Sequence, residues 1–285
     1  MNRLEGKVAL ITGAARGQGR SHAVALADEG ADVILLDICA DIESNTYPLS
    51  RTEDLEETVA LVEKSGRRAV SAQVDVRDRV SLQSAIDTGV GELGGLDVVV
   101  ANAGICPLGA SVVEQAFFDT YETNFVGVVN TINAGIKHLS DGGSVIATGS
   151  IAGLVDDYGY TSGTGVAGLG GAGYGLAKKM IRDYTKTLAM VLAPRRIRVN
   201  AIHPTNVNTD MLHNSAMYRL FRPDLSDPTR EDAELTFPVQ QAMPVPYVET
   251  ADISHAVVYL ASDESRFVTG QQLFIDAGAG LKLGL

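Results

Sequence analysis

KVALITGAARGQG, residues 7–19, is the stretch that decides the architecture. Val8, Ala9, Leu10 and Ile11 form a short unbroken apolar run, as expected of a central parallel strand covered on both faces. Gly13, Gly17 and Gly19 follow in a G-x-x-x-G-x-G spacing, and Ala23, Val24, Leu26 and Ala27 then recur at helical intervals. A turn lacking Cβ atoms bends sharply and admits a pyrophosphate close to the backbone. The next helix N-terminus then points bare N–H groups at the anion. Glycine clusters also punctuate ordinary loops. The strand before and the helix after make this one a dinucleotide-binding turn, with Arg16 and Gln18 between its glycines. DVILL at 32–36 reads as a second strand ending at Asp37, 18 residues beyond Gly19. A carboxylate at that distance accepts hydrogen bonds from the adenosine ribose hydroxyls and repels a 2′-phosphate, which argues for NAD over NADP. The competing reading of Asp37 is a cap on the next turn.

The rest of the chain extends this pattern. Strands are predicted over Ala69–Val74, Leu96–Val100, Gly143–Thr148, Ile197–Ile202 and Gln271–Ile275. Helices are predicted at about 52–64, 77–91, 112–139 (with an irregularity), 174–192 and 251–261. Strands alternating with helices imply one α/β domain, 1–285, built as a doubly wound Rossmann-type parallel sheet of seven strands. Ligands of such sheets bind beyond the carboxyl ends of the strands. Gly13, Asp37, Asp75, Val76, Asn102, Ala103, Gly104 and Ser150 all fall there. Three connections are longer than such folds need. They are an insert at 38–51, a glycine-rich one at about 156–171, and a proline-rich segment at 206–245 that reads as a substrate lid.

Composition narrows the partners. The 285 residues include 45% hydrophobic and 20% charged side chains, and the formal net charge is −12. That charge disfavours nucleic acid and anionic membranes. Two cysteines, Cys39 and Cys106, suit a reducing compartment. With no apolar run of spanning length and no leader ahead of the first strand, the expected location is the cytoplasm. No metal-ligand spacing is present.

Tyr174 and Lys178 stand four residues apart and project from one helix face. A free phenol titrates near ~10. A neighbouring ammonium, or the positive ring of an oxidised nicotinamide, favours the phenolate. Ser150, at an adjacent strand end, can donate to an alcohol or carbonyl oxygen. Together they make a proton-transfer device beside a hydride acceptor. Y-x-x-x-K alone is more often a solvated helix pair. The glycine turn, Asp37, the Asn102–Gly104 turn and the strand-end serine reverse that reading.

The set TGAARGQG (12–19), Asp75, NAG (102–104), Asn124, Ser150, Tyr174-x-x-x-Lys178 and the Pro204…Thr209 segment resembles the short-chain dehydrogenase/reductase family over nearly the whole chain. The resemblance implies Tyr174 as general acid/base and Ser150 as the residue orienting the substrate oxygen. It implies Lys178 on the nicotinamide ribose, and Asn124 holding a water that extends a proton relay from the lysine. Ile202, Pro204, Val207 and Thr209 would flank the nicotinamide and phosphates. The chain departs from the family in two places: the Ser150-to-Tyr174 gap is 24 residues, where about a dozen is usual, and the connection after Asp37 is long. That connection, with DIC at 37–39 and HPTNVNTDM at 203–211, resembles the actinobacterial subfamily typified by carveol dehydrogenase. Members of that subfamily are associated with the redox peptide cofactor mycofactocin. This implies a tightly held NAD recycled by an external carrier, with 38–51 folded over the adenosine.

The expected function is therefore NAD-dependent interconversion of a secondary alcohol and its ketone, with a cyclic, terpene-like alcohol of the carveol type as the candidate substrate. Met211, Leu212, Met217, Tyr218, Leu220 and Phe221 suggest an apolar substrate, though lid packing explains them equally well. A homotetramer is expected from the resemblance. The alternative is a catalytically silent NAD-binding regulator on the same fold. An intact set of Asn124, Ser150, Tyr174 and Lys178 speaks against it.

Overall fold

The first strand alternates its side chains between two helical layers. In β1 (Val8–Thr12) every residue is buried. Ala9 and Ile11 join a core built on one face, while Val8 and Leu10 join the core on the other. A strand covered on both sides has no solvent face, which is why its sequence is continuously apolar. In this computed structural model, residues 2–154 and 167–285 are described. Around β1, the strands β2 (Asp32–Asp37), β3 (Ala69–Gln73), β4 (Leu96–Ala101), β5 (Leu139–Thr148), β6 (Arg198–Pro204) and β7 (Gln272–Ile275) form one sheet. Its order is β3-β2-β1-β4-β5-β6-β7 and every pairing is parallel. The strand order reverses between β1 and β4, so a crevice opens there beyond the strand ends.

One face is covered by α1 (Gly17–Asp28), α2 (Thr52–Lys64) and, later in the chain, α9 (Thr250–Ala261). The other face is covered by α3 (Arg79–Leu93), α5 (Gly127–Ile136) and α6 (Gly168–Leu192). A short helix, α4 (Gln115–Tyr121), leads into a π-helical turn at Glu122–Val126 just before α5. That turn is the irregularity expected within 112–139, and π turns of this kind recur at functional sites. The lid carries α7 (Ser215–Phe221) and α8 (Arg230–Glu234), and α10 (Ala279–Lys282) closes the chain.

Two boundaries depart from the expectation for a physical reason. The helix carrying Tyr174 begins at Gly168, although its glycine content predicts a loop until Tyr174. A Cβ on Gly170 would lie 1.9 Å from the Pro107 carbonyl oxygen, so close packing on the 105–109 turn demands glycine inside this helix. Part of the expected 156–171 insert is therefore helix, and the rest, to residue 166, lies outside the described residues. Strand β5 also starts earlier, at Leu139. Leu139 pairs with Leu96 before a register shift restarts the ladder at Val98 and Ser144.

The lid has a small core of its own, in which Leu212, Ala233 and Phe237 are buried under Met217, Tyr218, Phe221 and Tyr247. Phe221 and Phe237 meet edge to face with centroids 4.7 Å apart.

Candidate active site

Two adjoining cavities occupy the crevice at the strand ends. The larger, about 530 Å³, is bordered by Ser150, Tyr174 and Lys178 together with lid residues Met211, Leu212 and Met217. The smaller, about 150 Å³, lies over the glycine turn and is bordered by Asp37, Asp75 and Val76. Gln18, Asn102, Gly104, Thr209 and Met211 line both.

The glycine turn is shaped for an anion. Gly13 holds φ +68°, and a Cβ there would lie 2.8 Å from the Ala103 Cα. The N-terminus of α1 has no side-chain cap and no acidic residue in its first turn. Its amides and positive dipole end therefore remain available to a phosphate. Arg16, Gly17 and Gly19 line the smaller cavity with Gly13 and Ala103. The Asn102–Gly104 turn is tied across three strands. Thr12 Oγ1 accepts from the Asn102 and Ala103 amides at 3.2 and 3.3 Å. Asn102 Nδ2 donates to the Thr12 carbonyl, and Thr148 Oγ1 donates to Asn102 Oδ1.

Asp37 ends β2 and is 7% exposed. Its carboxylate accepts from the Ala15 and Cys39 amides and from Ser50 Oγ. Two oxygens carry about four acceptor sites, so one remains for a ribose hydroxyl. Asp75 is held by the Arg77 amide and guanidinium, and Arg77 also pairs with Asp119 at 2.9 Å.

The segment 38–51 does fold onto this cavity. Ile38, Ile42, Tyr47, Leu49 and Ser50 line it. Tyr47, 7% exposed, accepts at its hydroxyl from the Cys106 amide at 3.1 Å, and Thr46 Oγ1 accepts from the Leu108 amide. Burial pushes the Tyr47 phenol well above its ordinary pKa, so it stays neutral. Ser44 Oγ donates to Asp119 Oδ2 at 2.6 Å. Arg16 joins the turn to both flanking segments, donating to the Pro48 carbonyl at 2.6 Å and pairing with Asp210 at 2.9 Å. Neither Tyr47 nor the Arg16 pairing was legible in the sequence, because an aperiodic insert reveals no face.

At the other end of the crevice, Lys178 is 3% exposed and donates to the Thr148 carbonyl at 2.6 Å. Its ammonium lies 5.5 Å from the centre of the Tyr174 ring. Burial pulls its pKa down to about 8. Ser150 follows β5 in extended conformation, and its Oγ accepts from the Ala152 amide at 3.2 Å. That bond occupies a lone pair and leaves the hydroxyl proton to donate elsewhere. Asn124 sits in the π turn, fully buried. Its Oδ1 accepts from the Ile105 amide and its Nδ2 donates to the Ile105 carbonyl, both at 2.8 Å. It lines neither cavity and fixes the turn after Gly104. Pro204, Val207 and Thr209 border the larger cavity, as does Cys106, whereas Ile202 is buried in the sheet core.

A polar cofactor fits here. Gln18 Oε1, Thr205 Oγ1 and Asn206 Nδ2 are buried without a hydrogen-bond partner, and all three residues line the larger cavity. Buried polar atoms are normally paired, so such a cluster points to a bound polar group. The glycine turn, the uncapped helix and Asp37 match a dinucleotide diphosphate and ribose.

Comparison with known proteins agrees with this geometry. A family model described as enoyl-(acyl carrier protein) reductase matches residues 13–280. The chain belongs to the short-chain dehydrogenase/reductase family. It is 43% identical over 288 residues to (−)-trans-carveol dehydrogenase of Rhodococcus erythropolis, covering 99% of this chain and 100% of that one. An uncharacterised NAD-dependent oxidoreductase of Mycobacterium tuberculosis is 38% identical over 282 residues, covering 97% and 96%. The crystal structure of carveol dehydrogenase from Mycobacterium avium in complex with NAD superposes with a TM-score of 0.91 at 46% identity, covering 98% and 99%. No helix among the described residues is long and apolar enough to cross a membrane.

Of the lid side chains expected to face substrate, Met211, Leu212 and Met217 reach the cavity, while Tyr218 and Phe221 pack into the lid's own core. Leu220 belongs to neither group. Leu212 and Met217 serve both, packing in that core as well as bordering the cavity, so the two readings of the lid overlap.

Proposed function

We propose that this chain is an NAD-dependent dehydrogenase that interconverts a cyclic, largely apolar secondary alcohol and its ketone. The observation that carries the reading is the buried Lys178 ammonium beside the Tyr174 ring, in a cavity shared with Ser150 and continuous with the glycine turn. When bound, NAD supplies the hydride acceptor. Gln18, Asn102, Lys178, Pro204, Val207 and Thr209 hold its nicotinamide half. Gly13, Arg16, Gly17, Gly19, Asp37, Asp75, Val76, Ala103 and Gly104 hold its adenosine and diphosphate. Ser150 donates its hydroxyl proton to the alcohol oxygen and orients it. Tyr174 takes the alcohol proton in the oxidative direction and returns it in the reductive one, with the Lys178 charge favouring the phenolate. Asn124, its side-chain amide committed to Ile105, holds the turn next to the site.

The substrate class rests on the cavity wall, where Ile151, Met211, Leu212 and Met217 offer an apolar surface, and on the names of the relatives. The roof formed by 38–51 supports slow cofactor exchange and reoxidation in place by an external carrier of the mycofactocin type. A homotetramer is part of the proposal, supported by the exposed Phe118 and Leu176 along the α4–α6 groove.

Exhaustive dialysis, denaturation and assay of the released nucleotide tests this reading, together with turnover of carveol with and without an artificial electron acceptor. Stoichiometric NAD(H) and acceptor-dependent turnover are expected. Protein that emerges empty and oxidises carveol with added NAD would remove the slow-exchange element and keep the dehydrogenase. Protein that binds NAD and turns over no alcohol under either condition would overturn the reading.

A further inference from the structure

His203 is fully buried near the end of β6, yet it takes no part in the chemistry proposed for the site. Its ring bridges two strand ends. Nδ1 lies 3.1 Å from the Ser150 amide nitrogen and 3.0 Å from the Ser150 carbonyl oxygen. Nε2 lies 2.7 Å from Gln272 Oε1 on β7. A neutral imidazole carries one proton, so Nδ1 can accept from the Ser150 amide only if Nε2 is the protonated nitrogen.

The surroundings decide which nitrogen that is. Thr185 Oγ1, on α6, donates its single proton to the Ile181 carbonyl at 2.9 Å. It then accepts from Gln272 Nε2 at 3.2 Å. This orients the Gln272 amide with Oε1 toward His203, where it accepts from Nε2–H. Nδ1 is left as an acceptor facing the Ser150 amide. Burial lowers the His203 pKa, so the neutral ring persists. The chain of bonds runs from α6, the helix carrying Tyr174 and Lys178, through β7 and β6 to the serine at the end of β5.

We propose that His203 is a positioning residue for Ser150: the Thr185–Gln272–His203 chain fixes one imidazole tautomer, whose Nδ1 anchors the Ser150 amide and so aims the serine hydroxyl into the cavity. The Ser150 backbone is then held on one side by His203. On the other, its Oγ is held by the Ala152 amide. Displacing a catalytic group by about 1 Å costs on the order of 10²-fold in rate, so an anchor of this kind acts on turnover. The proposal rests on Ser150 having the role assigned to it under the proposed function.

Two substitutions separate anchoring from packing. In H203N the amide oxygen reaches the place of Nδ1 and keeps the acceptor for Ser150. In H203Q the amide reaches the place of Nε2 and keeps only the Gln272 contact. Both lose the ring beside Phe274, whose centroid lies 6.0 Å away. Anchoring predicts that H203N keeps kcat within about threefold and H203Q loses about 10- to 100-fold, with KM and NAD affinity within about twofold in each. Equal losses in the two variants, or losses confined to KM or NAD affinity, would overturn it.

Proton–nitrogen correlation spectra of the wild-type protein labelled at histidine nitrogen give a readout independent of turnover and of the variants' folding. They should place the His203 proton on Nε2, and Q272L should relax that preference. A proton found on Nδ1 in the wild type would end the proposal. Wild-type protein with the Nε2 proton but no activity on any alcohol would instead refute the proposed function.

Discussion

Replacing Tyr47 with Phe should loosen the roof over the smaller cavity without touching the glycine turn. The change removes one oxygen, which accepts from the Cys106 amide at 3.1 Å. Both residues are about 7% exposed, so the orphaned amide cannot turn to bulk water while the roof is closed. An unsatisfied buried donor costs roughly 1–3 kcal/mol, whereas in an opened state water would satisfy it. The cost therefore falls on the closed form alone. At 1.4 kcal/mol per tenfold, the open fraction and NAD release should rise roughly 5- to 150-fold. The remaining fastenings of 38–51, from Ser44 to Asp119, Thr46 to Leu108 and Arg16 to Pro48, keep the segment in place. The assay is displacement of bound NADH, followed by its fluorescence after mixing with excess NAD. Release at the wild-type rate, with the thermal midpoint lowered, would show that the lost bond stabilises the fold but does not gate the cofactor, and the argument for slow exchange would fail.

Asp210→Asn tests the second fastening. Its pair with Arg16 is exposed on the Asp210 side, and such pairs contribute at most about 1 kcal/mol. NAD release should rise less than about fivefold, and the difference from wild type should shrink in high salt. Lys178→Met tests the buried ammonium through stability. Burial lowers the Lys178 pKa from 10.5 to about 8, so between those values the unfolded chain holds a proton that the folded chain lacks. The stability of wild type relative to Lys178→Met should therefore rise with pH from about 8 to 10.5, by on the order of 3 kcal/mol, in urea unfolding at stepped pH. A flat difference would show that Lys178 is not buried as a cation. His22 acts at the acid end. It packs against Ser254 between α1 and α9, with Nδ1 2.8 Å from Ser254 Oγ, and burial depresses its pKa to about 3. Below about pH 6.5 the unfolded chain takes up a proton that the folded chain refuses, so stability falls as the pH falls. The loss is about 2 kcal/mol by about pH 5. His22→Asn should show a smaller loss in the same unfolding series.

Much of the site could be read from the sequence because each part sits within a local signal. The glycine turn lies between a strand and a helix, Asp37 ends an apolar strand, and Tyr174 and Lys178 share a helix face by spacing alone. What the sequence hid depends on contacts between distant elements. Gly168–Gly173 reads as loop until the Pro107 carbonyl is placed against it. Tyr47 finds the Cys106 amide 59 positions away, and no periodicity marks that residue in an insert without one. Asn124 looks like an ordinary helical asparagine, and only the π turn delivers both its amide atoms to Ile105. His203 could have been found from the parallel pairing of β5 and β6. Thr148 lies opposite Ile202, so the residues that follow these two in the chain are neighbours. The lid resisted for another reason. Its apolar residues build a cavity wall and a private core, with Leu212 and Met217 in both, and a list of side chains does not record that arrangement.

The most direct test of the proposed chemistry is the turnover of Tyr174→Phe on a cyclic secondary alcohol, measured beside its NAD content. Removing a general acid/base costs typically about 10²- to 10⁴-fold, and the phenyl ring keeps the packing beside Lys178. Turnover should fall by about that factor while NAD is retained in the same proportion as in wild type. Wild-type turnover by Tyr174→Phe, with NAD equally bound, would contradict the account of the site.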